Sequence, residues 1–335
     1  MTERLAGIQV QEEAGSGQSI AETPTAVTAF VGRCLRGPVN RPVRISGFNE
    51  FQRIFGGLWQ PSTLSYAVEQ YFENGGHAAL VVRVVNGARC CTIELPAGGQ
   101  ALVLQALAPG TREFLRAAVD YDGIGDNEAD CFNLVVQRVR TPGSEHIEDQ
   151  EIYRRVSIDP DSPRSVVTVL AESELARVAG PLPPVRPEPT PRQDSRGLAG
   201  YVLSGSDADD GGALTDYDII GSAARGTGLF ALDAADGFNF LCIPPLARDV
   251  DVGASTLLVA NRYCRERRAI LFVDPPAAWD SAAKALGEMR HWPLPSDSAC
   301  MFFPRLLGYD KLRGRFELFA PSGAVCGALS RASEH

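Results

Sequence analysis

The sequence predicts an α/β core, a largely parallel sheet flanked by helices, which carries an inserted β-rich domain and is preceded by an extended N-terminal arm. Three observations predict this. The runs AVTAFVG (26–32) and AALVVRVV (78–85) are apolar and, in the second case, nearly continuous, as strands buried on both faces require. Toward the other end, FNFLCIPP (238–245), AILFVDPP (269–276) and ACMFFP (299–304) alternate with stretches long enough for helices. That rhythm implies parallel pairing through right-handed crossovers. Between the two regions Gly, Pro and polar residues cut the chain into short alternating runs, CTIEL (91–95), ALVLQAL (101–107) and CFNLVVQRV (131–139).

Taken in order, residues 1–22 are polar and contain Gly and Ser, yet Ile8 and Val10 alternate with polar neighbours. An arm that pairs with another sheet needs this pattern, so Ile8 and Val10 are its candidate assembly residues. After the first strand, PVRISGF (42–48) reads as extended and leads into NEFQRIFGG (49–57). There Phe51, Ile54 and Phe55 recur at helical spacing, with Asn49 as expected N-cap and Gly56-Gly57 as the stop. A second helix is expected from Leu64 to Phe72, ended by NGG (74–76). The inserted domain spans 88–197 and closes on GPLPPVRPEPTPRQDSRG (180–197), whose six prolines between 181 and 191 predict a stiff, solvated linker. Helices are expected near 251–266 and 279–290, so 23–87 and 198–335 together form one discontinuous core.

A chain of 335 residues exceeds one compact core, and 44% apolar content suffices for two. The net charge of −9 argues against general nucleic-acid binding, which needs a basic surface. Only Lys284 and Lys311 among the 32 basic residues are lysines, so the positive charge sits on guanidinium groups suited to fixed contacts with carboxylates. The start of the chain lacks the basic residues and apolar run of a signal peptide, and no stretch of about 18 apolar residues occurs, so no membrane partner is expected and synthesis is cytoplasmic. Eight cysteines include no CxxC pair, and with only four histidines they read as small buried hydrophobes. Cys90 and Cys91 are adjacent, and no pattern accounts for the pair.

Motifs for chemistry are weak, and neither a catalytic residue nor a cofactor is expected. No GxxxxGK[ST] occurs, because neither Lys284 nor Lys311 follows a glycine. Gly226-Thr227-Gly228-Leu229-Phe230-Ala231 fits GxGxxA, but no convincing strand precedes it, and a glycine-rich helix entry is the ordinary reading. Asp207-Ala208-Asp209-Asp210-Gly211-Gly212 opens like a calcium loop, yet its twelfth position is Asp218 rather than a bidentate glutamate. A solvated acidic turn is expected there and no metal. Ser206 and Ser322 lack a GxSxG frame, His77 and His291 read as structural, and Glu69, Glu73 and Arg83 are candidates for pairing across neighbouring elements.

The segments already read form a recognisable series. ETPTAVTAFVGRCLRGPVNRPVRISGFNEFQRIFGG followed by LSYAVEQYFENGGHAALVVRVV resembles the N-terminal core of the contractile tail sheath family of bacteriophages, tailocins and phage-tail-like injection systems. YRRVSIDPDSPRSV (153–166), LSGSDADDG (203–211), GLFALDAADGFNFLCIPP (228–245) and FFPRLLGYDKLRGRFELFAPSGAVCGALSR (302–331) agree in the family's order. The resemblance implies a subunit that assembles as hexameric rings stacked around an inner tube, with baseplate and terminator proteins as further partners and no nucleotide. It also implies that the inserted domain lies on the tube's outer surface and that the N-terminal arm links rings. Family members continue past PSGAVCGALSR (321–331) into a further domain, which this chain lacks, so a non-contracting capping or adaptor subunit is the alternative. A nucleotide- or sugar-binding α/β protein is the remaining one.

Overall fold

The computed structural model describes residues 27–191, 200–292 and 297–332. Ile8 and Val10 lie outside the described residues. The first strand, β1 (Thr28–Gly32), is buried throughout, and it is followed by β2 (Val43–Ile45), α1 (Phe48–Phe55), α2 (Thr63–Glu73) and β3 (Ala79–Arg83). Next come β4 (Thr92–Ala97), β5 (Gln100–Ala106), β6 (Phe114–Asp120), β7 (Cys131–Val139), β8 (Ile147–Ser157), α3 (Val166–Leu170), β9 (Ala176–Ala179) and β10 (Val202–Leu203). The chain then runs through α4 (Asp216–Ile220), β11 (Phe240–Cys242), α5 (Ala254–Arg267), β12 (Ile270–Val273), α6 (Ala282–Met289) and β13 (Ala299–Met301). It ends with β14 (Leu306–Asp310), β15 (Arg315–Phe319) and α7 (Ser322–Ala332).

A six-stranded sheet of order β13-β12-β11-β1-β3-β2 forms the centre, parallel at every pairing except the antiparallel edge β2–β3. The expected α/β core is therefore present. Alternation along the central strands divides its side chains. Ala29, Val31, Leu80, Val82, Leu241 and Leu271 face α5. Phe30, Ala79, Val81, Cys242 and Phe272 face α1, α2 and α7. Phe51 and Phe55 of α1 are fully buried against that second face, and truncating either to alanine removes about 3–5 kcal/mol.

The start of α1 follows local chemistry that places it two residues before the expected position. Helix α1 begins at Phe48 with Gly47 at the cap, not at Asn49; Asn49 is exposed, and the Glu50 carboxylate instead accepts from the Ser46 N–H at 2.9 Å and its hydroxyl at 3.0 Å. The stop is as expected. Gly56 adopts φ 89°, and a Cβ there would lie 3.0 Å from Leu35 Cβ. Helix α7 meets α2 backbone to backbone, since a Cβ on Gly323 or Gly327 would come 2.2 Å from the carbonyl oxygen of Ala67 or Tyr71.

Strands β4–β10 build two antiparallel sheets, β4-β5-β9 and β10-β6-β7-β8, around a separate apolar cluster that includes Ile93, Leu104, Leu115, Phe132 and Leu134. The Pro-rich segment differs from expectation. Up to Pro191 it is strapped onto these sheets: Glu188 N–H donates to Pro96 O at 2.7 Å and Thr190 N–H to Val119 O at 2.9 Å. The Arg186 guanidinium stacks 3.7 Å from the Tyr121 ring centroid. Prolines hold the backbone extended at a reduced folding-entropy cost, which helps the intervening N–H groups reach strand carbonyls instead of water. Two chain passages join the β-rich unit to the core, and they pair with each other. Arg89 and Asp209 exchange backbone hydrogen bonds at 3.0 and 3.1 Å, Gly212 N–H donates to Asn86 O at 2.8 Å, and Gly205 N–H donates to Thr92 O at 2.8 Å.

Candidate assembly surface

At the carboxyl ends of a parallel sheet, where α/β proteins hold ligands, protein groups fill the space. The carboxylate of Asp274, just beyond β12, accepts from the Ser322 N–H at 2.9 Å and the Ser322 hydroxyl at 2.8 Å, capping α7. Burial pushes the Asp274 carboxyl up to about 6, against the lowering effect of those two hydrogen bonds. Ser322 also lies 2.9 Å from Cys242 Sγ, so its partners are a carboxylate and a thiol rather than a histidine. The Thr63 hydroxyl donates to Pro245 O, and Arg305 donates to Pro275 O and Asp251. Two cavities beyond β11 and β12 measure only about 20 Å³ each, against several hundred for a nucleotide-sized ligand, whereas a cleft of about 640 Å³ lies between the segment that follows β1 and the β-rich unit, lined by Arg36, Arg41, Arg53, Glu113, Arg138 and Glu148.

The acidic loop is the solvent-facing turn expected, and it also acts as a clasp. Asp207 accepts from Thr92 N–H at 3.3 Å and its hydroxyl at 3.1 Å, Asp210 accepts from Thr111 N–H at 2.7 Å and its hydroxyl at 2.8 Å, and Asp209 accepts from Gly211 N–H at 2.7 Å. Asp218 is the reciprocal partner of Thr215 at the start of α4. Among the described residues no group of three His, Cys, Asp or Glu side chains is arranged to hold a metal. Arg83, only 1% exposed, does not meet Glu69 or Glu73. Its guanidinium donates to Gly37 O at 2.7 Å and Pro109 O at 2.8 Å, tying the core to the β5–β6 connection of the β-rich unit. Burial lowers its pKa, partly countered by nearby thiol and carboxyl groups. Glu69 and Glu73 instead hold Lys311 at 2.8 and 3.1 Å. The GxGxxA segment forms a 3-10 turn from Gly228 to Ala234, with Gly228 N–H donating to Asn40, and no strand leads into it. His77 and His291 are exposed near the start of β3 and the end of α6.

The feature that stands out is the β14–β15 ribbon, whose faces are inverted relative to an ordinary surface strand. Leu307 opposes Leu318 and Tyr309 opposes Phe316 on the outer face, and these four residues are 69%, 59%, 56% and 67% exposed. The inner face is polar and fixed. Asp310 is fully buried; it accepts from Tyr66 OH at 3.1 Å, from Leu312 N–H at 2.9 Å and Arg313 N–H at 3.1 Å, and pairs with Arg248. Burial raises the Asp310 carboxyl, but the two N–H groups and the Arg248 charge outweigh it and leave the pKa below its ordinary value. Arg248 in turn stacks on Tyr66 and Phe319 at 4.7 and 4.9 Å. With Lys311 on α2 and Arg313 and Arg315 on Glu317, the rim charges are compensated locally, leaving an apolar centre within a neutral polar border. The sequence signal was there, two alternating apolar runs, LLGY and RFELF, around a DKLRG turn, but it was not singled out.

A search with family profiles and a search of curated proteins each return no match for the chain. Solved structures do match. The crystal structure of the sheath tail protein Lin1278 from Listeria innocua superposes over 92% of this chain with a TM-score of 0.51 and 11% identity. The fold is that of a sheath tail protein. The sheath tail protein DSY3957 from Desulfitobacterium hafniense covers 98% of the chain at 12% identity and a TM-score of 0.49. This chain spans 56% and 62% of the lengths of those two sheath tail proteins. Among its described residues, no helix is long and apolar enough to cross a membrane.

Proposed function

We propose that the chain is a structural subunit of a contractile tail sheath, polymerising as stacked hexameric rings around an inner tube and storing energy for contraction in the extended lattice. The observation that carries the reading is the sheath tail fold, which extends over nearly the whole chain and not only over one sheet. Two features support it. The carboxyl ends of the parallel sheet are occupied by helix caps and ion pairs, so the fold's usual ligand crevice is used to hold the molecule together. The ribbon presents a fixed apolar face, as an assembly surface does.

On this reading the partners are other copies of the chain, an inner tube protein, and baseplate and terminator proteins. The subunit is made in the cytoplasm and then becomes part of a tail or tail-like particle. The β-rich unit, expected at 88–197 and reaching on through β10, is a surface domain on the outside of the tube, carried by the core formed from 23–87 and the chain after β10, while residues 1–22, through Ile8 and Val10, add a strand to a neighbour. Negative-stain electron microscopy of the purified chain, alone and with a candidate inner-tube protein across a concentration series, tests this. Tubes or stacked rings are expected. Single chains at every concentration, with and without the tube protein, would refute polymerisation and favour a capping or adaptor role.

A further inference from the structure

The joint beneath the ribbon contains a small polar cavity that its own side chains do not complete. It measures about 20 Å³ and lies between α2, the stretch after β11 and the end of β15. Most polar groups of its lining have protein partners. The Thr63 hydroxyl donates to Pro245 O, the Tyr66 hydroxyl donates to Asp310 at 3.1 Å, and Arg305 donates to Pro275 O at 3.0 Å, to Arg248 O at 3.3 Å and to Asp251. Three atoms of the lining residues differ. Nε and Nη1 of Arg248 and Oε1 of Gln70 are buried and make no hydrogen bond within the protein. Glu317 lies 3.8 Å from Arg248 Nη1, outside hydrogen-bond reach. The guanidinium is not free to turn out to solvent, because Asp310 holds Nη2 and the rings of Tyr66 and Phe319 flank it at 4.7 and 4.9 Å. Buried donors and acceptors are nearly always satisfied, so this set calls for a group from outside the chain.

We propose that this cavity binds one water molecule, which accepts from the Arg248 guanidinium and donates to Gln70 Oε1, so that α2 holds the ribbon's arginine through water. Size fits: a single water needs about 10–15 Å³ of such space, and two would not enter. Hydrogen-bond arithmetic fits as well. The unpaired set combines donors with an acceptor, and water is the small molecule that serves both at once. Its second hydrogen has Pro245 O within the lining, a carbonyl with one lone pair left beside the Thr63 bond. A cation is excluded by the Arg248 charge. An anion fits poorly, because Asp310 and Glu317 already face that charge and the Gln70 oxygen would repel it. Water bridging buried polar groups costs little more than a direct bond, and it makes the seat of the ribbon complete only when hydrated. The inference holds for the folded chain whether or not it builds a sheath.

The test uses the full chain, crystallised with bromide in place of chloride at a resolution that shows ordered water. One density peak is expected in the cavity, about 2.7–3.2 Å from a guanidinium nitrogen of Arg248 and from the Gln70 side chain, without a bromine anomalous signal. The absence of a peak would overturn the proposal. A bromine signal there would overturn it too, by making the cavity a halide site with the Gln70 amide turned round. Gln70→Met keeps the length of the side chain and removes its oxygen, so the peak should disappear. In that variant hydrogen exchange over 306–319 should rise at least tenfold while β1 and β3 exchange as before, because only the bridge to the ribbon is lost. A peak that survives the substitution, or exchange that does not change, would overturn the bridging role. The wild-type crystal decides the occupant by itself, so the proposal stays open to refutation even if Gln70→Met does not fold.

Discussion

Removing the carboxylate of Asp310 should release the ribbon while leaving the sheet behind it folded. Asp310 is fully buried and serves Tyr66, Leu312, Arg313 and Arg248 together. In Asp310→Ala the Arg248 guanidinium keeps only Glu317, 3.8 Å away, and two turn N–H groups lose their acceptor. Breaking a buried pair costs about 3–5 kcal/mol, and each stranded donor about 1–3 kcal/mol. That exceeds what a two-stranded ribbon supplies by itself, so the loss is local before it is global. Hydrogen exchange read by mass spectrometry should show residues 306–319 losing protection by two orders of magnitude or more, while β1, β3 and β11 exchange as before. The pH dependence follows from the lowered pKa: the contribution is present in full above the ordinary carboxylate pKa and is lost as pH falls through the lower folded value. Acid should therefore loosen the wild-type ribbon as alanine does at neutral pH. Unchanged exchange in 306–319 for Asp310→Ala would refute the argument that this carboxylate holds the ribbon.

Asp274 titrates with the opposite sign: its folded pKa of about 6 lies above its ordinary 3.8, so its contribution is fully present below pH 3.8 and declines by about 3 kcal/mol as pH rises through 6. Urea titrations of wild type and Asp274→Asn between pH 4 and 8 should show this slope only in the wild type. Gly327→Val should cost about 1–3 kcal/mol or more by driving α7 off α2, read as a lowered melting temperature, while Gly287→Val, where a Cβ meets nothing within 4 Å, shows no overpacking. A thiol reagent at pH 8 should modify the partly exposed Cys90 and Cys131 in the native chain, and Cys300 more slowly because burial raises its thiol to about 11, with the buried Cys34, Cys91, Cys242, Cys264 and Cys326 reacting only after denaturation.

The central sheet was legible because strands buried on both faces must be continuously apolar, and 26–32, 78–85, 238–245 and 269–276 satisfy that. The helix between the last two was legible because the stretch that separates them is long enough for a crossover helix. The ribbon was not, because pattern reading turns the apolar side of an alternating strand toward the core, whereas here Asp310 and Phe319 point in and Leu307, Tyr309, Phe316 and Leu318 point out. Composition told part of the story at 181–191 and 207–210: many of these residues face solvent as expected, but their carbonyls, intervening N–H groups and carboxylates also find partners more than fifty residues away in the chain. Asn49 is not the cap because the helix already starts at Phe48, with Gly47 at the capping position and the Glu50 carboxylate reaching back to Ser46 ahead of it. None of these is visible without knowing which distant segments meet.

The paired passages at 86–92 and 205–213 carry a consequence for modularity. Because Asn86 and Gly212 are already hydrogen-bonded neighbours, the whole β-rich unit hangs from a closed loop base, and the six-stranded sheet experiences everything between them as one excursion of negligible span. A turn of two to four residues can replace it, and so can any foreign domain whose ends lie about 5 Å apart, the spacing of paired strands. The core sets the terms of such a replacement: Arg83 must find a substitute for Pro109 O, Arg36 one for the Glu148 carboxylate, and Arg33 must keep Gly211 O, 2.8 Å away. The exterior of the molecule is thus free to diverge or to be engineered as a display site once those contacts are supplied.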